Sequence, residues 1–140
     1  MNQFSEDTWT RLCQRYGLKY LVLFGSRVSG KGDRLSDWDF AARFGRRPGI
    51  REIADLLADI MDLVEDDRVD LVVLDRPGLP PALLHEALWR GKPLCILNRD
   101  TYLWDKVSAL ALYQEYLLVF RPGLEAMVKR LAKRGALAEN

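Results

Sequence analysis

Three aspartates carry the strongest chemical signal in the chain. Asp37 and Asp39 stand two apart in the run Asp37-Trp38-Asp39-Phe40. On a strand that spacing sends both carboxylates to one face and turns Trp38 and Phe40 toward the core. Two acids side by side raise each other's pKa unless a cation neutralises them. Hard oxygen ligands on one face suit Mg²⁺, which is typically held by one or two carboxylates plus substrate phosphates. The plainer alternative is a pair of solvated acids, but Asp is a poor strand former and two in alternation are an unusual choice. Asp70 interrupts the apolar run Val69 to Leu74 and shares a face with Val72 and Leu74. In the central strand expected here, a carboxylate is costly unless paired, protonated or metal-bound. If the two strands adjoin, three carboxylates converge on a nucleotide-sized site suited to two-metal chemistry.

A second feature precedes them. Gly25-Ser26 follows directly on an apolar strand and opens a helical turn. Glycine there lets a ligand approach the backbone, and the turn's N–H groups with the Ser26 hydroxyl form a cradle for phosphate. Arg27 is the candidate triphosphate contact, with an exposed helix arginine as the equal alternative. Taken alone, Gly-Ser is more often an ordinary turn.

These residues must be placed by the elements around them. Ser5 and Gly17 bracket a first helix over 6–16. Residues 18–24 read as a strand, 37–44 as a second and 69–74 as a third. Residues 50–64 form an amphipathic helix, with Ile53, Leu56, Leu57, Ile60, Met61 and Val64 on one side. Another helix spans 80–90, and Pro93 marks a short strand over 93–98 as a sheet edge. Strands alternating with helices imply an α/β fold. Only a dozen residues separate the first two strands, too few for an easy parallel crossover, so they are expected to run antiparallel in a mixed sheet. Beyond residue 100 the chain becomes helical and unusually apolar, with a break at Pro122-Gly123 and a basic last helix over 124–133.

The 140 residues fit one domain. With 21 Lys and Arg against 20 Asp and Glu, the net charge is +1, which gives no reason to expect bulk electrostatic nucleic-acid binding. No apolar run has the length of a membrane span, and the N-terminus lacks a signal pattern. Cys13 and Cys95, far apart and in no metal-type spacing, read as buried small hydrophobes in a reduced, cytoplasmic protein.

Gly25-Ser26, ten intervening residues, Asp37-Trp38-Asp39-Phe40 and the later Asp70 in VDLVVL together resemble the nucleotidyltransferase signature of the DNA polymerase β superfamily. The short chain is similar to the minimal nucleotidyltransferase (MNT) antitoxins that pair with HEPN-domain toxins. The resemblance runs over about residues 20–98. It implies an α/β, mixed-sheet nucleotidyltransferase domain over 1–98 and a C-terminal helical extension over 99–140, packing on the domain, on a partner or on both. It further implies transfer of AMP from ATP to a tyrosine of a HEPN ribonuclease, silencing it. Carried over residue by residue, Gly25, Ser26 and Arg27 would hold the nucleotide, and Asp37, Asp39 and Asp70 would bind two Mg²⁺ ions. Asp70 would also accept the proton of the attacking hydroxyl. Many relatives read Gly-Ser-x-Ala-Arg-Gly, whereas residues 25–30 here are GSRVSG. Ser29 therefore replaces a basic residue, a charge that Arg27 or Lys31 would have to supply. Trp38 replaces a small aliphatic residue.

Two other readings stay open. One is neutralisation of the partner by complex formation alone, supported by the apolar tail. The other is transfer to a small molecule such as an aminoglycoside, for which 140 residues leave little room. His85, the only histidine, reads as structural. Arg46, Arg47 and Arg51, like the basic C-terminus, read as solvated. The stripe Tyr102, Trp104, Tyr113, Tyr116 and Phe120 divides evenly between core and interface.

Overall fold

The computed structural model describes residues 5–29 and 36–138, with the side chains of 5–28 and 36–135. In chain order the elements are α1 (Glu6–Tyr16), β1 (Tyr20–Phe24), α2 (Ser26–Ser29), β2 (Trp38–Arg43) and α3 (Ile50–Val64). There follow β3 (Val69–Val73), α4 (Pro81–His85), β4 (Lys92–Ile96), α5 (Arg99–Glu115) and α6 (Arg121–Ala138). Two π-helical turns, Glu86–Arg90 and Tyr116–Phe120, extend α4 and join α5 to α6. The expected succession of elements is present, and α3 has the bounds its periodicity gives.

Local chemistry sets the boundaries. Gly17 ends α1 with φ 65°, its N–H turned back to the carbonyls of Cys13 and Gln14. Ser5 occupies the N-cap of α1, but its hydroxyl bonds Thr8 Oγ1 at 2.8 Å instead of a backbone N–H. Pro122 does not break the tail as expected. It closely follows a π-helical turn that carries α5 into α6, so the helix continues through a residue that lacks an N–H donor.

The sheet order is β3-β2-β1-β4. β1 runs antiparallel to β2 and to β4, whereas β2 and β3 run parallel. The mixed sheet and the edge position of β4 agree with expectation. The position of β3 does not, because it lies on the opposite edge and not in the centre. Apolar content suggested a central strand; in fact α3 covers one face of β3, and Asp70 is exposed at its start.

Each sheet face carries its own core. Trp9, Leu12, Leu56, Ile60 and Val64 of α1 and α3 pack against Leu21, Leu23, Trp38, Phe40, Val69 and Val73. On the other face, Ala87, Leu88, Tyr102 and Ala109 cover Tyr20, Val22, Phe24 and Ala41. Tyr102 is thus core, whereas Trp104 is 72% exposed and every residue from Leu118 to Gly135 is exposed. Cys13 and Cys95 are buried as expected, but they are joined as a disulfide across α1 and β4, not held as free thiols. Their separation of 82 residues conceals this meeting in the sequence. Among the described residues, no helix is long and apolar enough to cross a membrane.

Candidate active site

β2 and β3 set the acids. In their parallel register Asp39 stands opposite Asp70, and on the other side Asp39 pairs with Phe24, the residue before Gly25. The glycine turn, Asp39 and Asp70 therefore form one row across three neighbouring strands. Asp37 lies just before β2, two residues from Asp39 and outside the ladder. Trp38 and Phe40 are buried on the opposite face, as their alternation requires.

Gly25 is fitted to this row. Its φ is +82°, and a Cβ there would collide with Asp39 Oδ2 and lie 3.2 Å from Asp39 Cγ. Only glycine gives both the left-handed turn and the space beside the carboxylate. The Gly25 carbonyl accepts from Val28 N–H at 3.1 Å, which winds Ser26 into α2. Gly30 and Lys31 lie outside the described residues.

Among the described residues, Arg68 lies within electrostatic reach of Asp37, and Asp39 and Asp70 have no cation in ion-pair contact. Burial pushes the pKa of Asp39 above the usual carboxylate range, and the negative charges of Asp70 and then Asp37 push it further. Among the described residues no Lys, Arg or His forms an ion pair with any of the three. Nor does any group of three or more His, Cys, Asp or Glu there stand close enough to hold a metal ion alone. Asp37 sits off the strand and Asp70 on an exposed edge, both near enough to Asp39 to act on its charge.

Arg27 does not reach toward this row. Its Nε and Nη2 donate to the Ser36 carbonyl at 3.1 and 2.9 Å, and its guanidinium lies 4.3 Å from the centre of the Trp38 ring. Nη2 is also 3.7 Å from Asp66 Oδ2. Asp66 escaped the sequence reading, although its place in Asp66-Asp67-Arg68 just before β3 was the available signal. His85 stacks on Tyr113 at 4.1 Å, away from any acid–base arrangement.

The same sheet face carries a different cluster at its far end. Arg43, at the end of β2, bonds Asp75 and, through Nε at 3.0 Å, Asp105 of α5. Tyr20 donates to Asp105 at 2.7 Å, and the N–H groups of Phe44 and Gly45 donate to Asp75 at 2.8 Å each. Burial, followed by the bond to Asp105, keeps the Tyr20 hydroxyl protonated far above its ordinary range.

A row of carboxylates beside a glycine turn is suited to phosphate-group chemistry. The family described as "Polymerase beta, Nucleotidyltransferase" matches residues 8–101. The chain belongs to this nucleotidyltransferase family. Among curated proteins, no relative matches it. Among solved structures it resembles a mutant of the toxin–antitoxin MntA–HpeT, with TM-score 0.71 and 22% identity over 89% of this chain and 98% of that one. It also resembles a toxin–antitoxin with AMP-PNP, with TM-score 0.70 and 24% identity over 89% and 98%. A third likeness is to a tri-AMPylated Shewanella oneidensis HEPN toxin in complex with MNT antitoxin, with TM-score 0.65 and 24% identity over 92% and 99%. At these identities the likeness establishes the fold.

Proposed function

We propose that this nucleotidyltransferase transfers AMP from ATP to a tyrosine hydroxyl of a HEPN-type toxin and thereby silences it. The observation that carries this reading is the row of Asp39 and Asp70, with Asp37 beside it, in which Asp39 is pushed up by burial and by its acidic neighbours, next to a glycine turn shaped around Asp39. Structural likeness to complexes of a HEPN toxin with an MNT antitoxin, and to one containing AMP-PNP, supports the choice of partner and nucleotide.

In this reading the backbone at Gly25 and the Ser26 hydroxyl receive the phosphates. The donor set fits a hard divalent cation: all carboxylate oxygen and, among the described residues, short of a full cage, as befits ions that share their shell with substrate phosphates. One or two Mg²⁺ ions held by Asp37, Asp39 and Asp70 would neutralise charge on the triphosphate and on the departing pyrophosphate. The acceptor oxygen attacks the α-phosphorus in line, and the bond to the bridging oxygen of the β-phosphate breaks. Pyrophosphate leaves with that electron pair. Asp70, exposed at the edge of the row, takes the proton of the attacking hydroxyl. No covalent enzyme intermediate is required, so catalysis is positioning and charge neutralisation.

Residues 1–98 would form the catalytic domain, and 99–140 an extension that seats the partner. Exposed Trp104, Val107, Leu118, Val119 and Phe120 favour that seat, and they also favour a second reading in which docking alone neutralises the toxin. The test is the intact mass of a HEPN partner incubated with the protein, ATP and Mg²⁺. Gain of one or more AMP units, absent with chelator, is expected. An unmodified but inactive partner in stable complex would replace transfer with sequestration.

A further inference from the structure

We propose that Arg27 is a positioning residue, a single guanidinium that binds together the three chain segments carrying the glycine turn, Asp37–Asp39 and Asp70. The functional half of this inference rests on the nucleotidyltransferase reading above; the structural half does not.

Arg27 follows Ser26 on α2, so it travels with the turn assigned to phosphate. Its two donors to the Ser36 carbonyl hold the peptide immediately before Asp37. Its flat face rests on Trp38, between Asp37 and Asp39. Its third contact, Asp66, belongs to the turn that leads into β3. That turn is itself braced: Asp66 accepts from the backbone N–H of Arg68 at 3.0 Å and from its Nε and Nη2 at 3.2 and 3.1 Å. The side chain and then the N–H of Arg68 hold Asp66 down at about 2. The Arg68 carbonyl then accepts from Trp38 N–H at 2.9 Å, where the β2–β3 ladder begins.

The arrangement answers a specific need. Asp39 and Asp70 are fixed by strand register, but Asp37 lies outside the ladder and must be held by something else. A planar fork can converge two N–H bonds on one carbonyl oxygen, stack on an indole and still offer an edge to a carboxylate. An ammonium cannot do all three. With its side chain only 18% exposed, Arg27 is committed to this junction.

The test uses the full chain as Arg27→Gln, Arg27→Lys and Asp66→Asn, with three readouts. These are hydrogen exchange of amides 37–39 and 68–70, Mn²⁺ binding with AMP-PNP by electron paramagnetic resonance, and steady-state AMP transfer to the HEPN partner. For both Arg27 variants we expect faster exchange in the two stretches, weaker Mn²⁺ binding and kcat lower by about 10–100-fold, the usual cost of losing a supporting contact. KM for ATP should hold. Asp66→Asn should move the same amides by a smaller amount, and it serves if the Arg27 variants do not fold. Unchanged exchange, with KM for ATP up about tenfold and kcat intact, would make Arg27 a phosphate ligand and overturn the proposal. Full activity in Arg27→Lys would also overturn it, since charge without the fork would then suffice. If the natural sequence transfers no AMP, the functional reading falls alone, and the exchange data still decide the role of Arg27.

Discussion

One face of this sheet carries acidic residues at both ends, and the two ends treat them in opposite ways. At the far end, Asp75 and Asp105 are satisfied by Arg43, by the Tyr20 hydroxyl and by two backbone N–H groups. At the near end, Asp37, Asp39 and Asp70 have no ion-pair contact among the described residues, with Arg68 within electrostatic reach of Asp37 alone, and the proton affinity of Asp39 is raised. The strands are the same: β2 begins beside Asp37 and ends at Arg43, and β3 carries Asp70 and leads to Asp75. The difference therefore lies in the partners supplied. Charge that is matched inside the molecule holds α5 to the sheet. Charge left unmatched at a costly place marks where something from outside is expected to bind.

The largest effect should come from removing the unmatched charge. Asp37→Asn with Asp39→Asn should cut AMP transfer by ~10³-fold or more, a loss typical of removing electrostatic stabilisation from a transition state. Its melting temperature should change little, because no ion pair among the described residues is lost and relief of the charge on Asp39 offsets the loss of the attraction between Asp37 and Arg68. A large drop in stability with retained transfer would reverse the assignment of the two ends.

Arg43→Ala should do the opposite. It leaves the largely buried Asp75 and Asp105 with their neutral N–H and O–H donors but no cation, and should cost about 3 kcal/mol. For a domain of this size that corresponds to roughly 10 °C in melting temperature, read by calorimetry. Transfer per folded molecule should be preserved.

Gly25→Ala sharpens the near end. The left-handed backbone and the collision with Asp39 should together cost ~1–3 kcal/mol and displace the carboxylate that is central to the row. Calorimetry and transfer assays should move together here, unlike either variant above.

The smallest effect is in the pH dependence. Asp39 has a folded pKa above its reference of 3.8, so the folded chain binds this proton more tightly than the unfolded chain. Its contribution is favourable at low pH and is lost as pH rises through the folded value. Asp39→Asn should therefore raise the melting temperature of the ligand-free protein at pH 7 and leave it unchanged near pH 3. Asp66, held at about 2, has the opposite sign: its stabilisation is present above its reference of 3.8 and lost as pH falls toward 2.

Local signals placed much of this in the sequence. The Gly25-Ser26 turn follows from residue type, the antiparallel β1–β2 pair from a short connection, and the shared face of Asp39 and Asp70 from strand alternation. The edge position of β3 escaped because an apolar run looks the same whether a neighbouring strand or a helix covers it. The Arg43 cluster escaped because its partners lie 32 and 62 residues away, a distance no spacing rule bridges. Arg27 was legible as a cation beside a phosphate turn, but its direction was not, because that depends on where the chain returns at Ser36. The Cys13–Cys95 contact has the same long-range origin.

The most direct measurement is calorimetric titration of AMP-PNP into the natural chain and into Asp39→Asn with Asp70→Asn, each with Mg²⁺ and with chelator. Binding that needs Mg²⁺ in the natural chain and vanishes in the double variant is the expected result. Equal affinity in both proteins, or affinity indifferent to chelation, would mean that the unmatched carboxylates are not where the nucleotide is held.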